Sequence, residues 1–288
     1  MNLANDDATF SAIYDWDYVL WEVRLKLLAA GFFSYLGVFL LAHWLSSWIS
    51  ASYRTSSAKQ KIFWNMNITR GLFAVQSCGA GLWALLIDPV FKADQVYAQQ
   101  KWSWFHCLIA AGYFLFENVV FHVSNIVFRI FDVFNVVHHL FAFSGLLGLI
   151  INIKSGHYLP LMGLLLEMNN PSYCISSILA RIGCAHTLFW KANQWVNIHM
   201  LHCRMVLIYH MWWVCISHWN DVVENLGLLY FIVFFMGLST LTLILNPYWT
   251  FKTTQRLFGP VERKFPNTAM KNASCEHLNS EAFQKKRI

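Results

Sequence analysis

Seven stretches of mostly apolar residues, near 25–50, 69–90, 102–124, 132–152, 157–181, 195–219 and 226–249, divide the chain. Each is about the length an α-helix needs to cross a bilayer core of roughly 30 Å. No water is present there to satisfy the backbone, so a span must close its own hydrogen bonds as a helix or a barrel. Runs this long read as helices. Only 12% of the 288 residues are charged, about half the share of a soluble domain. The expectation is an all-α polytopic membrane protein with about seven transmembrane helices. The fifth and sixth stretches are the least clean, since both carry several polar groups.

The basic residues fall unevenly on alternate ends of these stretches. With the amino terminus lumenal, Arg54, Lys59, Lys61, Arg70, Arg129, Arg181, Lys191 and the eight basic residues beyond Tyr248 are cytosolic, 15 of the 21. Five (Arg24, Lys26, Lys92, Lys101 and Lys154) are lumenal, and Arg204 lies within a helix. Cytosolic connectors carry the excess of Lys and Arg, so a lumenal amino terminus and a cytosolic carboxyl terminus are expected. The formal charge of +6 then reads as topology and attraction to the cytosolic leaflet, with no nucleic-acid partner. The first 24 residues hold Asp6, Asp7, Asp15, Asp17 and Glu22, where a cleavable signal would start basic, so the first helix is expected to stay as a span.

The chain closes with Gln284-Lys285-Lys286-Arg287-Ile288. Lys285 and Lys286 stand fourth and third from the end, as in the dilysine signal that the COPI coat reads on free cytosolic tails. The sequons Asn67-Ile-Thr69 and Asn272-Ala-Ser274 fall on or near the cytosolic side and are expected to be unused. The seven cysteines include no CxxC pair, so neither a disulfide nor a zinc framework is expected.

Ionisable residues inside spans are costly and mark function by default. His106 and Glu117 share a face of the third stretch, and Asn135, His138, His139 and Ala142 a side of the fourth. Glu167, Asn170, Cys174, Ser177 and Arg181 form a stripe on the fifth. The sixth holds His199, His202 and His210 on one face and Asn193, Asn197 and Arg204 on another. At about 1.5 Å rise per residue, the histidine pair lies roughly 10 Å from the cytosolic end of its helix, with Glu117 and Arg204 at similar depth. These groups are expected to converge on a cavity in the cytosolic half, beside a helix loosened by Pro171.

A neutral imidazole serves as general base or nucleophile near neutral pH. His138, His139 and Glu167 are therefore the candidate catalytic residues, and Glu117, Asn170, Arg204, His199 and His202 the candidate cavity residues. The competing reading is architecture, with Glu167 paired to Arg204 and Glu117 to a histidine. Such intramembrane bonds average only about 0.6 kcal/mol. No metal is expected, because His199-x-x-His202 is the only close approach to a histidine box. Trp102, Trp104, Trp212, Trp213, Trp219 and Trp249 read as interfacial anchors.

Several segments resemble the TLC domain, the family of translocating-chain associating proteins, ceramide synthases and a ceroid-lipofuscinosis protein. They are Phe63-Trp-Asn-Met-Asn-Ile-Thr-Arg70, Gly112-Tyr-Phe-Leu-Phe-Glu-Asn118, the histidine pair and Leu165-Leu-Glu-Met-Asn-Asn-Pro171. Further matching runs are Phe189-Trp-Lys-Ala-Asn-Gln-Trp-Val-Asn-Ile-His199, His202-Cys-Arg-Met205 and Asn246-Pro-Tyr-Trp249. The resemblance implies residues 1–61 as a lumenal end and first helix, a TLC domain over 62–262, and a cytosolic tail over 263–288. It further implies a six-helix barrel around a central cavity, residence in the endoplasmic reticulum and its intermediate compartment, and acyl transfer centred on His138. The acyl donor would be acyl-CoA or a phospholipid, with no bound cofactor. Where ceramide synthases carry aspartates after the pair, this chain has Glu167, Asn169 and Asn170, so a sphingoid acceptor is not implied. The ceroid-lipofuscinosis branch implies acylation in lysosomal phospholipid supply, with glycerophosphoglycerol as acceptor. It also implies a second class of function, a cargo receptor that carries lysosomal enzymes out of the reticulum with its export machinery. Membrane lipids are partners on either reading.

Overall fold

The computed structural model describes residues 16–129, 133–185 and 187–258. Among them the regular structure is entirely helical. Five helices are long and apolar enough to cross a membrane. They are α1 (Trp21–Ile49), α3 (Ala58–Leu82, running on through a wide π-helical turn at Trp83–Ile87), α5 (Lys101–Phe128), α6 (Val133–Ile151) and the continuous rod of α11 (Leu228–Thr240) and α12 (Asn246–Phe258). Short helices α2 (Ala51–Arg54), α4 (Pro89–Ala93) and α10 (Trp219–Asn225) sit in the connectors.

The other two expected spans are helical but differ in kind. Residues 158–181 form α7 (Tyr158–Leu165) and α8 (Asn170–Arg181), parted by a tight 3₁₀ turn at Leu166–Asn169. Pro171 is in the first turn of α8, where a missing backbone N–H costs nothing. The preceding turn absorbs the break, and it holds Glu167. The sixth expected stretch begins earlier than its apolar run, as the 30-residue α9 (Leu188–Ser217).

Local signals explain the starts. Ser57 and Gln60 form a reciprocal capping box ahead of α3, which satisfies two donors the helix cannot reach. Thr187 accepts from the Trp190 amide at 3.2 Å and opens α9.

The neighbour order runs α3, α5, α6, α11–α12, α9, α7–α8 and back to α3. Helix α1 lies outside this circuit against α5 and α3. A Cβ on Gly112 of α5 would stand 2.2 Å from the Leu28 carbonyl oxygen, so the two backbones touch there, as small residues allow in membranes. Arg24 of α1, read above as a lumenal charge, is buried and donates to the carbonyls of Ile150 and Val19. It caps the carboxyl end of α6. At the same end of the bundle, Gln99 Nε2 donates to the carbonyls of Ile153 and Ser155 at 2.8 Å, and the His157 amide to that of Ala98 at 2.9 Å.

Several side chains depart from the sequence reading. Trp104 is buried against the His157 ring and is no surface anchor, whereas Trp212 is half-buried and its Nε1 donates to Thr242 Oγ1 at 2.9 Å. Asn67 is buried and donates to Ser177 Oγ at 2.9 Å, which closes that sequon to glycosylation. Cys78, Cys107, Cys174, Cys203 and Cys215 are free thiols. Cys184 is disulfide-bonded, against the expectation of no disulfide. Lys285, Lys286 and the sequon at Asn272 lie outside the described residues.

Candidate active site

The histidines His138 and His139 stand in the second turn of α6, where consecutive residues point about 100° apart. His138 turns toward the 3₁₀ turn, and its Nε2 lies 3.6 Å from Glu167 Oε1. His139 turns toward α5, and its Nδ1 lies 3.2 Å from Glu117 Oε2. Each imidazole therefore has a carboxylate of its own. Glu117 also accepts from Arg70 Nε, and an Arg70 terminal nitrogen lies 3.4 Å from His139 Nε2. Glu117 is 1% exposed, so Arg70, Glu117 and His139 form a packed ionic knot among α3, α5 and α6.

Glu167, 3% exposed, accepts from Asn170 Nδ2. That bond comes from the geometry of the break, because the 3₁₀ turn brings a residue three positions on back over its carboxylate. Arg204 of α9 does not pair directly with Glu167. Its Nη1 donates to Asn169 Oδ1 at 2.9 Å, and its guanidinium lies over the Trp249 ring, 5.1 Å from the centroid. The same indole meets the His138 ring edge-on at 5.1 Å.

Two cavities meet here. One, of about 120 Å³, runs between α6, α7 and α11 and is lined by apolar side chains including Phe141, Leu146, Leu164, Phe234 and Leu241. The other, of about 130 Å³, lies toward the carboxyl-terminal end of the bundle. Its lining includes Arg70, His139, Asn169, Asn170, Asn197, Arg204, Trp249, Lys252 and Arg256. His138 and Glu167 line both.

Of the residues expected from sequence, His138, His139, Glu167, Asn170 and Arg204 are brought together around this junction. Glu117 stands one layer behind the wall, holding Arg70 and His139. His199 and His202 are not brought in; both are exposed on the outer face of α9, where Trp195 stacks on His199. The reason is helical geometry: Asn197, Leu201 and Arg204 occupy the inner face, and a residue two places on from Asn197 points about 200° away. Among the described residues no cluster of three or more His, Cys, Asp or Glu suits a metal ion.

Sequence reasoning missed Arg70, Trp249, Lys252 and Arg256. Arg70 was counted as a topology charge, though it stands about 18 Å along α3, far from a helix end. The three on α12 share one face at spacings of three and four, a pattern visible in the sequence but hidden by the interfacial reading of the tryptophan.

The fold and site define a polytopic helical membrane protein with a buried histidine–carboxylate centre between an apolar and a cationic cavity. No family model matches the chain, and no solved structure matches it. The chain belongs to the CLN8 family. It is 52% identical to Protein CLN8 of Homo sapiens over 287 residues, all of both chains, and 52% identical to Protein CLN8 of Mus musculus over 96% of each. TLC domain-containing protein 4 of Homo sapiens shares 26% identity over 157 residues, 52% of this chain and 58% of that protein, which accords with the TLC resemblance of the motifs.

Proposed function

We propose that this chain is an integral lipid acyltransferase of the endoplasmic reticulum, serving phospholipid and lysosomal lipid homeostasis, with glycerophosphoglycerol as an acceptor. The observation that carries the reading is the position of His138 and Glu167 on the walls of both cavities. Acyl transfer brings a long apolar chain and a polar alcohol to one reacting centre, and this junction offers a compartment for each.

With Glu167 beside Nε2, the proton of the imidazole is favoured on that nitrogen, leaving Nδ1 with the basic lone pair. His138 Nδ1 then takes the proton of the acceptor hydroxyl as its oxygen attacks the acyl carbon. The bond from that carbon to the donor's sulfur or oxygen breaks, and the proton passes from Nδ1 to the leaving group. Acyl-CoA or a phospholipid supplies the acyl group. Asn170 holds the Glu167 carboxylate in place, and His139, tied to Glu117, packs beside His138 with ring centroids 5.1 Å apart.

Purified protein incubated with long-chain donors and glycerophospho-acceptors is expected to form acylated product. In His138→Ala the rate is expected to fall by about 10²–10⁴, with expression and membrane location kept. Lipid mass spectrometry reads the product, and full turnover by the variant would remove His138 from the mechanism.

A second reading, an ER-to-Golgi cargo receptor for lysosomal enzymes, rests on Lys285 and Lys286. Replacing both by alanine is expected to move the protein downstream of the reticulum. On the receptor reading lysosomal enzymes are then depleted, whereas an enzyme so displaced still forms product.

A further inference from the structure

The polar cavity is out of electrical balance. Arg70, Arg204, Lys252 and Arg256 line it against one lining carboxylate, Glu167. Glu117, behind the wall, takes Arg70. Among the described residues, Arg204, Lys252 and Arg256 are left with Glu167 as the one lining carboxylate.

Arg204 is 2% exposed, and among the described residues its Nε and Nη2 have no hydrogen-bond partner. A buried guanidinium with two donors unused is costly. Trp249 fixes the plane of the group from one side, and Asn169 holds Nη1. What remains is a residue of the cavity lining with two unused N–H donors on one fork, the donor set that recognises two oxygens of one anion. Lys252 and Arg256 are exposed on α12 at the mouth, with Lys252 held by Tyr248 Oη at 2.6 Å.

We infer that Arg204 is the anchor of a phosphate-binding subsite, with Lys252 and Arg256 as its cationic rim and access from the carboxyl-terminal, tail-bearing end of the bundle. The subsite holds the phosphate of a substrate whose reactive end reaches His138. The inference rests on the acyltransferase reading for the identity of its ligand, and on the orphaned guanidinium for its existence. The same chemistry is found in a glycerophosphodiester acceptor and in coenzyme A.

Full-length protein in phosphatidylcholine nanodiscs is titrated with glycerophosphoglycerol, with coenzyme A, and with glycerol as the uncharged control, and acyl transfer is assayed on the same preparations. At least one anionic probe is expected to bind, and glycerol not. Arg204→Gln is expected to weaken binding tenfold or more, and Arg204→Lys by less, since a lysine restores charge but no fork. The exposed rim variant Lys252→Ala with Arg256→Ala, which leaves the buried core untouched, is expected to weaken binding about threefold and to flatten its salt dependence. Selective binding of glycerophosphoglycerol assigns the subsite to the acceptor; selective binding of coenzyme A assigns it to the donor. Binding lost in Arg204→Gln, in a protein that transfers no acyl group, upholds the subsite and retires the acyltransferase. Undiminished probe affinity in both Arg204→Gln and the rim variant, or no anion bound by the unaltered protein at millimolar concentration, overturns the subsite. Transfer by Arg204→Gln with KM values unchanged overturns it too and leaves the enzyme standing.

Discussion

The two cavities are nearly equal in volume and share a wall, yet their materials are opposite. The one between α6, α7 and α11 is aromatic and aliphatic, with room beside Gly145 and Gly163, where a Cβ would meet nothing within 4 Å. The one toward α12 is built of amides, guanidinium groups and an indole. An apolar pocket binds by area and discriminates weakly per methylene; a polar one binds by placed donors and discriminates sharply. Among the described residues, the shared wall carries two that belong to both, His138 and Glu167. That difference separates what is bound in each compartment from what is done at the boundary.

The comparison is most easily broken from the polar side. Glu117→Leu leaves Arg70 buried without its carboxylate, and removing one partner of a buried pair costs about 3–5 kcal/mol. The expected result is a large drop in melting midpoint in detergent together with lost His139 orientation; an unchanged midpoint would show that the knot is not structural. A smaller effect is expected from the apolar side. Gly145→Leu fills the apolar cavity without a backbone clash, and is expected to shift preference from long toward short acyl donors by roughly tenfold, with kinetics on short donors little changed. Donor competition read by product chain length checks it, and an unchanged profile would place the acyl chain elsewhere. The smallest effect sharpens the boundary itself. His199→Leu with His202→Leu alters only the outer face of α9, and is expected to change stability by no more than about 0.5 kcal/mol and turnover not at all. Loss of turnover there would extend the site beyond the two cavities.

Much of this was legible in the chain. The apolar runs located the five long helices, and helix periodicity with depth brought His138, His139, Glu167, Asn170 and Arg204 to one level. What periodicity does not supply is rotation. Both polar faces of α9 had equal standing in sequence, and only packing against α8 and α12 decides that Asn197 and Arg204 turn inward. Charge counting has a similar blind spot, because it assigned Arg70 to a helix end. Arg70 is a core residue whose partner lies on another helix. Trp249 was misread for a related reason: indoles favour interfaces, but also stack under guanidinium groups. The break ahead of Pro171 was foreseeable, whereas its conversion into a turn that presents Glu167 depends on α3 and α9 packing around it.

The bond between Arg70 and Glu117 also bears on how the protein is made. The two residues are separated by 47 positions, so α3 is synthesised well before α5. During that interval the translocon holds a helix whose middle carries an unpaired cation, a residue that costs about 2.5–3.5 kcal/mol to insert alone. Handover of α3 to lipid is therefore expected to wait for α5, the two helices leaving the insertion channel as a pair. Nascent chains arrested before Lys101 would then remain crosslinkable to the channel through α3, and chains arrested beyond Arg129 would not.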